Sequence, residues 1–143
     1  MATAAPAKAP VHLWIVGVVS LLWNAFGALD YVMSQLRNEA WLSQLTEAQR
    51  AWLDASPAWA DAAWAFGVWG ALLGSVLLLM RSRHAFWAFA VSLAGLAVST
   101  VYQHVVSPMP GAGSMNMLMI AIWIVALGLL VYTYRMRSSG VLR

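Results

Sequence analysis

The stretch WADAAWAFGVWGALLGSVLLLM, residues 59–80, has one charge, Asp61, at its opening and none after it. A helix crossing the hydrocarbon of a bilayer needs about 20 apolar residues at 1.5 Å rise each. This stretch is long enough. Three others match it. Residues 11–33 are apolar apart from His12, Ser20, Asn24 and Asp30. Residues 85–106 and 115–134 carry no Asp, Glu, Lys or Arg at all. The apolar runs are unbroken rather than alternating, which predicts spanning helices and not a β-barrel. The expected fold class is therefore all-α: a polytopic membrane protein with four transmembrane helices in an up-down bundle. The 143 residues form a single domain.

Composition agrees. Hydrophobic residues make up 62% and charged residues 9%, against about 45–50% and about 25% in a soluble domain. That balance excludes a typical cytosolic enzyme and a disordered regulator. The net charge of +3 comes from basic residues scattered near segment ends, so no nucleic-acid partner is expected. With no cysteine, thiolate catalysis and Cys-ligated metal centres are excluded. The first span is not expected to be a cleaved signal peptide: its apolar run is too long, and Asp30-Tyr31-Val32-Met33 is no small-residue cleavage site.

Charge bias gives an orientation. Lys8, Arg81, Arg83, Arg135, Arg137 and Arg143 share one side with no acid. Arg37 and Arg50 lie on the other, with Glu39, Glu47, Asp54 and Asp61. The positive-inside rule then places both termini in the cytoplasm, and the 34–58 loop in the periplasm of a bacterium. The expected location is a bacterial inner membrane, with the lipid bilayer as the first partner.

That outer loop carries its own pattern. Trp41, Leu45, Ala48 and Trp52 recur at helical spacing opposite Glu47, Arg50 and Asp54, which predicts an amphipathic interfacial helix over about 41–54. The same indoles also fit a simple aromatic belt. Thr46-Glu47-Ala48-Gln49 reads as a capping box, and Ser56-Pro57 as a cap followed by proline in the first turn of the second span. Pro108 to Gly113 reads as the other outer turn.

Within the spans, Gly67, Gly70 and Gly74 give the second helix a small-residue face, and Gly95 with Ser92 and Ser99 does the same for the third. Small residues let backbones approach closely, either inside the bundle or at a seam between two copies. Leu78 is expected to face lipid. Polar side chains are costly in hydrocarbon unless paired or hydrated, so they are the candidate site. Asn24, Asp30, Tyr31, Asp61, Tyr102, Gln103 and His104 are expected to converge in a periplasm-facing pocket among the first three helices, with Asp30 beside His104. The competing reading has the rim residues reaching for water and Asn24 making one interhelical bond. His12, His84 and His104 lie at span ends, and no His pair faces another from mid-membrane. No cofactor and no metal are expected.

The run Leu21-Leu22-Trp23-Asn24-Ala25-Phe26-Gly27-Ala28-Leu29-Asp30-Tyr31 is distinctive. It continues through Arg37-Asn38-Glu39-Ala40, Leu45-Thr46-Glu47-Ala48-Gln49, Ser56-Pro57-Ala58-Trp59 and Ala65-Phe66-Gly67-Val68-Trp69-Gly70. Together these stretches resemble a family of small four-helix bacterial inner-membrane proteins that often carry the label "sugar transporter". The resemblance is densest from Leu21 to Leu79. It implies the same four-helix fold and a link to transport, and it carries over no site residues. Two functions follow as expectations. One is a protein without enzymatic activity, an accessory or assembly component of a membrane system, with another membrane protein or a second copy as partner. The alternative is an oligomeric small-solute transporter, for sugars in the labelled sense, using the outer pocket.

Overall fold

A computed structural model describes residues 5, 7–111, 113 and 115–143. These residues are helical with no strand. The elements are α1 (Val11–Gln35), α2 (Glu39–Leu42), α3 (Glu47–Asp54), α4 (Ala58–Leu79), α5 (Ala85–Val101) with a π-helical turn at Tyr102–Val106, and α6 (Met115–Ser138). Four segments are long and apolar enough to cross a membrane: Val11–Gln35, Ala58–Leu79, Ala85–Val106 and Asn116–Ser138. Their outward faces carry Trp14, Val18, Leu22, Phe26, Trp69, Ile120 and Ile124, all exposed. Only 11% of the apolar window of the last segment is buried inside the molecule. Apolar surface on that scale needs lipid around it. This is a small multi-pass membrane protein.

Contacts fix the topology. Along α4, Gly67 faces Leu96, Gly70 faces Ala88 and Ser92, and Gly74 faces Phe89, so numbers rise on one helix as they fall on the other. Gly17 meets Leu79 and Asn24 meets Ser75, so α1 also runs antiparallel to α4. On the far side α6 leans on α5, with Trp123 Nε1 donating to Thr100 Oγ1 at 3.1 Å. The layers run α1, α4, α5, α6. At the end holding both termini, His12 Nδ1 and the Tyr132 hydroxyl share a hydrogen bond that brings α6 back to α1. A core of Leu13, Leu78, Ala85, Val141 and Leu142 fills this terminal end. Leu78, expected on a lipid face, is fully buried there. Apolar period alone cannot separate lipid from core, because both faces are apolar.

The segment expected as one helix over 41–54 is two helices with a break at Ser43–Thr46. Each start is specified by a cap. The Asn38 side chain accepts from Trp41 N at 3.1 Å, and Thr46 with Gln49 forms a capping box. An N-cap residue holds an extended backbone, here φ −67°, ψ 160° at Thr46, so a helix cannot run through it. Ser56 does not cap α4. Pro57 is the flanking residue, and the Ser56 hydroxyl turns back to the Trp52 carbonyl at 3.5 Å. Of the turn read at Pro108–Gly113, Gly111 takes φ +69°, while Ala112 and the following Ser114 lie outside the described residues.

Candidate functional site

The polar residues of the spans are placed by α1, α4 and the end of α5, and the α2–α3 segment covers them at the end away from the termini. Asn24 lies mid-way along α1, 9% exposed, on the stripe that meets α4. Its amide donates to Ser75 Oγ at 2.8 Å and to the Ala71 carbonyl at 3.2 Å. A primary amide has two N–H donors, and both are used across one helix–helix seam. Asn24 is therefore a tie between α1 and α4.

Asp30 sits about one and two-thirds turns further along α1. The chain leaves α1 through Arg37 in the left-handed region, φ +53°, and this sharp turn lays α2 back against the helix it has just left. Trp41 Nε1 then donates to the Asp30 carboxylate at 2.7 Å, and its ring packs on Phe26. Tyr31, on the α4 side, stands edge-on to Trp64 at 5.0 Å and to Trp69 at 6.2 Å. Asp61 is half-buried in the first turn of α4, where the positive end of the helix dipole favours a carboxylate.

The other three residues belong to the π-helical turn. Tyr102 is 6% exposed and lies between Trp52 of α3 and Trp59 of α4, at 5.5 and 5.3 Å. Ser107 N donates to the Tyr102 carbonyl at 2.8 Å, the i→i+5 bond that widens this turn. Gln103 is half-buried, and its carbonyl accepts from Met109 N. His104 is exposed, with Nδ1 3.0 Å from the Thr100 carbonyl.

The expected meeting of Asp30 with His104 does not occur. The ion pairs of the described residues are Arg37–Asp54 at 3.3 Å and Arg50–Glu39 at 3.1 Å. The reason is the layering: α4 stands between α1 and α5, so residues at equal depth on those two helices face α4 or the α2–α3 cap instead of each other. The seven residues are gathered at or below one end of the bundle, and the contacts of Asn24, Asp30, Tyr31, Tyr102 and His104 go to different partners. A cleft of about 220 Å³ does open at this end, inside the cap, lined by Arg37, Glu39, Leu42, Arg50, Leu53 and Asp54. It contains none of the seven.

What sequence reasoning missed are the partners. Ser75 and Trp41 hydrogen-bond to Asn24 and Asp30, and Trp52 and Trp59 pack on the ring of Tyr102. Ser75 had a signal in its place on the small-residue face of α4, one turn from Ala71, and Trp41 and Trp52 in the apolar face of the outer loop. The cap is fastened further by Trp52 Nε1 to the Ser107 carbonyl at 2.8 Å and Gln49 Nε2 to the Pro110 carbonyl at 3.2 Å. Chemically, the arrangement closes one end of the bundle with indoles, two surface ion pairs and backbone hydrogen bonds.

In comparison with known proteins, the chain matches no family model, no curated protein and no solved structure.

Proposed function

We propose that this protein is a non-enzymatic accessory or assembly component of a membrane system, seated in a bacterial inner membrane with both termini in the cytoplasm. The observation that carries the reading is the use of the intramembrane polar groups. Asn24 and Asp30 are each hydrogen-bonded to a neighbouring side chain of the same molecule, and the rings of Tyr31 and Tyr102 are packed against indoles. Groups spent in this way shape and close the bundle, whereas a carrier keeps its polar groups free to exchange water for solute. The outward surface of α1 and α6 is aromatic and aliphatic, suited to lipid and to another apolar helix. The likeness to small four-helix inner-membrane proteins labelled as sugar transporters fits an accessory placed beside a transport system.

Photo-crosslinking in intact cells tests this. A benzophenone amino acid at Phe26 or Ile124, both on exposed faces, should yield one reproducible adduct with a different membrane protein. Adducts of twice the chain's own mass only, together with saturable sugar uptake by vesicles containing the purified protein alone, would replace this reading with the transporter.

A further inference from the structure

All five acidic residues of the chain, Asp30, Glu39, Glu47, Asp54 and Asp61, belong to the capped end of the bundle. The terminal end holds Lys8, Arg81, Arg83, Arg135, Arg137 and Arg143 with no carboxylate side chain among them. Both ion pairs of the described residues are at the capped end. Like charges gather at the terminal end, and the fold draws some of them closer still.

Gly140, at φ +76°, ends α6 in a Schellman turn, with Gly140 N bonded to the Arg137 carbonyl and Val141 N to the Met136 carbonyl. That turn sends the chain back into the bundle, where Val141 and Leu142 are buried against Leu13, Leu78 and Ala85. Arg143 is then held on both sides: its N–H donates to the Arg81 carbonyl at 2.8 Å, and its carbonyl accepts from Arg83 N at 2.9 Å. Arg81 turns its own guanidinium inward, donating to the Val141 and Ala7 carbonyls. Arg83 and Arg143 remain exposed beside each other. Just after Arg83 in the chain, the rings of Phe86 and Trp87 each lie 5.7 Å from the Arg137 guanidinium carbon. This contact is independent of the first and places a third cation, Arg137, against the first turn of α5, the helix that follows Arg83.

We propose that the corner formed by Arg83, Arg137 and Arg143 binds the phosphate of an anionic phospholipid. Guanidinium groups match phosphate oxygens with paired N–H donors, and an anion offsets the positive charge that this end of the bundle carries without an acidic side chain. The lipid, rather than a free ion, fits the rest of the corner. Trp87 is 57% exposed in the first turn of a spanning helix, where an indole sits at the level of glycerol and upper acyl chain. A soluble phosphate has no use for that surface.

The test uses the full chain, purified from mixed micelles of equal phosphatidylglycerol and phosphatidylcholine, with retained lipid counted by mass spectrometry. An arginine near an anionic surface is worth about a fivefold preference. The wild type should retain phosphatidylglycerol well above its share, and the preference should shrink in 1 M salt. The triple variant Arg83→Gln, Arg137→Gln, Arg143→Gln should bring the ratio to within about fivefold of equality. The triple lysine variant should keep most of the preference, which separates lost charge from a damaged fold. The pair Arg37→Gln, Arg50→Gln, at the capped end, should leave it unchanged. An equal ratio in the wild type overturns the proposal, as does a preference above about fivefold that survives the glutamine triple. Displacement of the lipid by millimolar inorganic phosphate at constant ionic strength would also overturn it, in favour of a simple anion site.

Discussion

Gly95 shows how little room a single residue has in this bundle. A Cβ built there would come within 2.6 Å of the Ala63 carbonyl oxygen and of Gly67 N, and both are backbone atoms that cannot step aside. Gly95→Ala should therefore destabilise the fold by about 1–3 kcal/mol, in the range of overpacking a tight site. Gly128, with nothing within 4 Å, is the control, and Gly128→Ala should be neutral or stabilising by up to about 1 kcal/mol. Thermal unfolding of both variants in one detergent decides, and equal shifts would refute the close crossing. Asp30 makes a second residue-scale case. An indole N–H to an ionised carboxylate is worth about 1.5–3 kcal/mol, so Asp30→Asn should weaken the hold on Trp41, and Trp41→Phe should remove it. In a double-mutant cycle the two changes should couple by about 1 kcal/mol or more. Additive effects would mean that the bond does not form in the membrane-embedded protein.

Helix ends decide more here than helix middles. α1 and α4 both finish in Schellman turns whose left-handed residue is an arginine, Arg37 at φ +53° and Arg81 at φ +57°, where glycine is usual. Such a residue costs about 1–2 kcal/mol in that region, and nothing in the letters marks the two turns. They are the turns that return α2 to α1 and bring the α4–α5 connection under the tail. The Thr46–Gln49 box, by contrast, was legible from four letters, and it explains why a single 41–54 helix gives way to two. Gln49 also reaches the 108–111 turn through Pro110, so it serves two elements. Thr46→Ala should cost about 1 kcal/mol through the lost cap alone. Gln49→Ala should cost at least as much and, unlike Thr46→Ala, should speed amide exchange in the 108–111 turn as well as in α3. Exchange confined to α3 in both variants would show that the Pro110 contact carries no strain between the elements.

At the scale of the whole molecule, sequence reading found what depends on length and hydropathy, namely four spans and a capped loop. It did not find what depends on which helix stands between which. Residues at equal depth on α1 and α5 look like neighbours in one dimension, and only the layering through α4 separates Asp30 from His104. Charge is different, because it acts along the membrane normal, an axis that sequence order does preserve. Lys8, Arg81, Arg83, Arg135, Arg137 and Arg143 mark one end, and all five acids belong to the other. Moving cations across during insertion opposes the membrane potential, at about 2.3 kcal/mol per charge for each 100 mV, so the six-to-two basic bias should give one orientation and not a mixture. The absence of cysteine makes this direct to measure, since Ser43→Cys and Ser139→Cys each introduce a lone thiol at an exposed position on opposite ends. In intact cells with a permeabilised outer membrane, an impermeant maleimide should label position 43 and spare position 139 until the inner membrane is opened. Labelling of 139 alone would invert the protein. Labelling of both in intact cells would mean dual insertion, the arrangement of an antiparallel dimer, and would undercut a cytoplasmic location for the arginine corner.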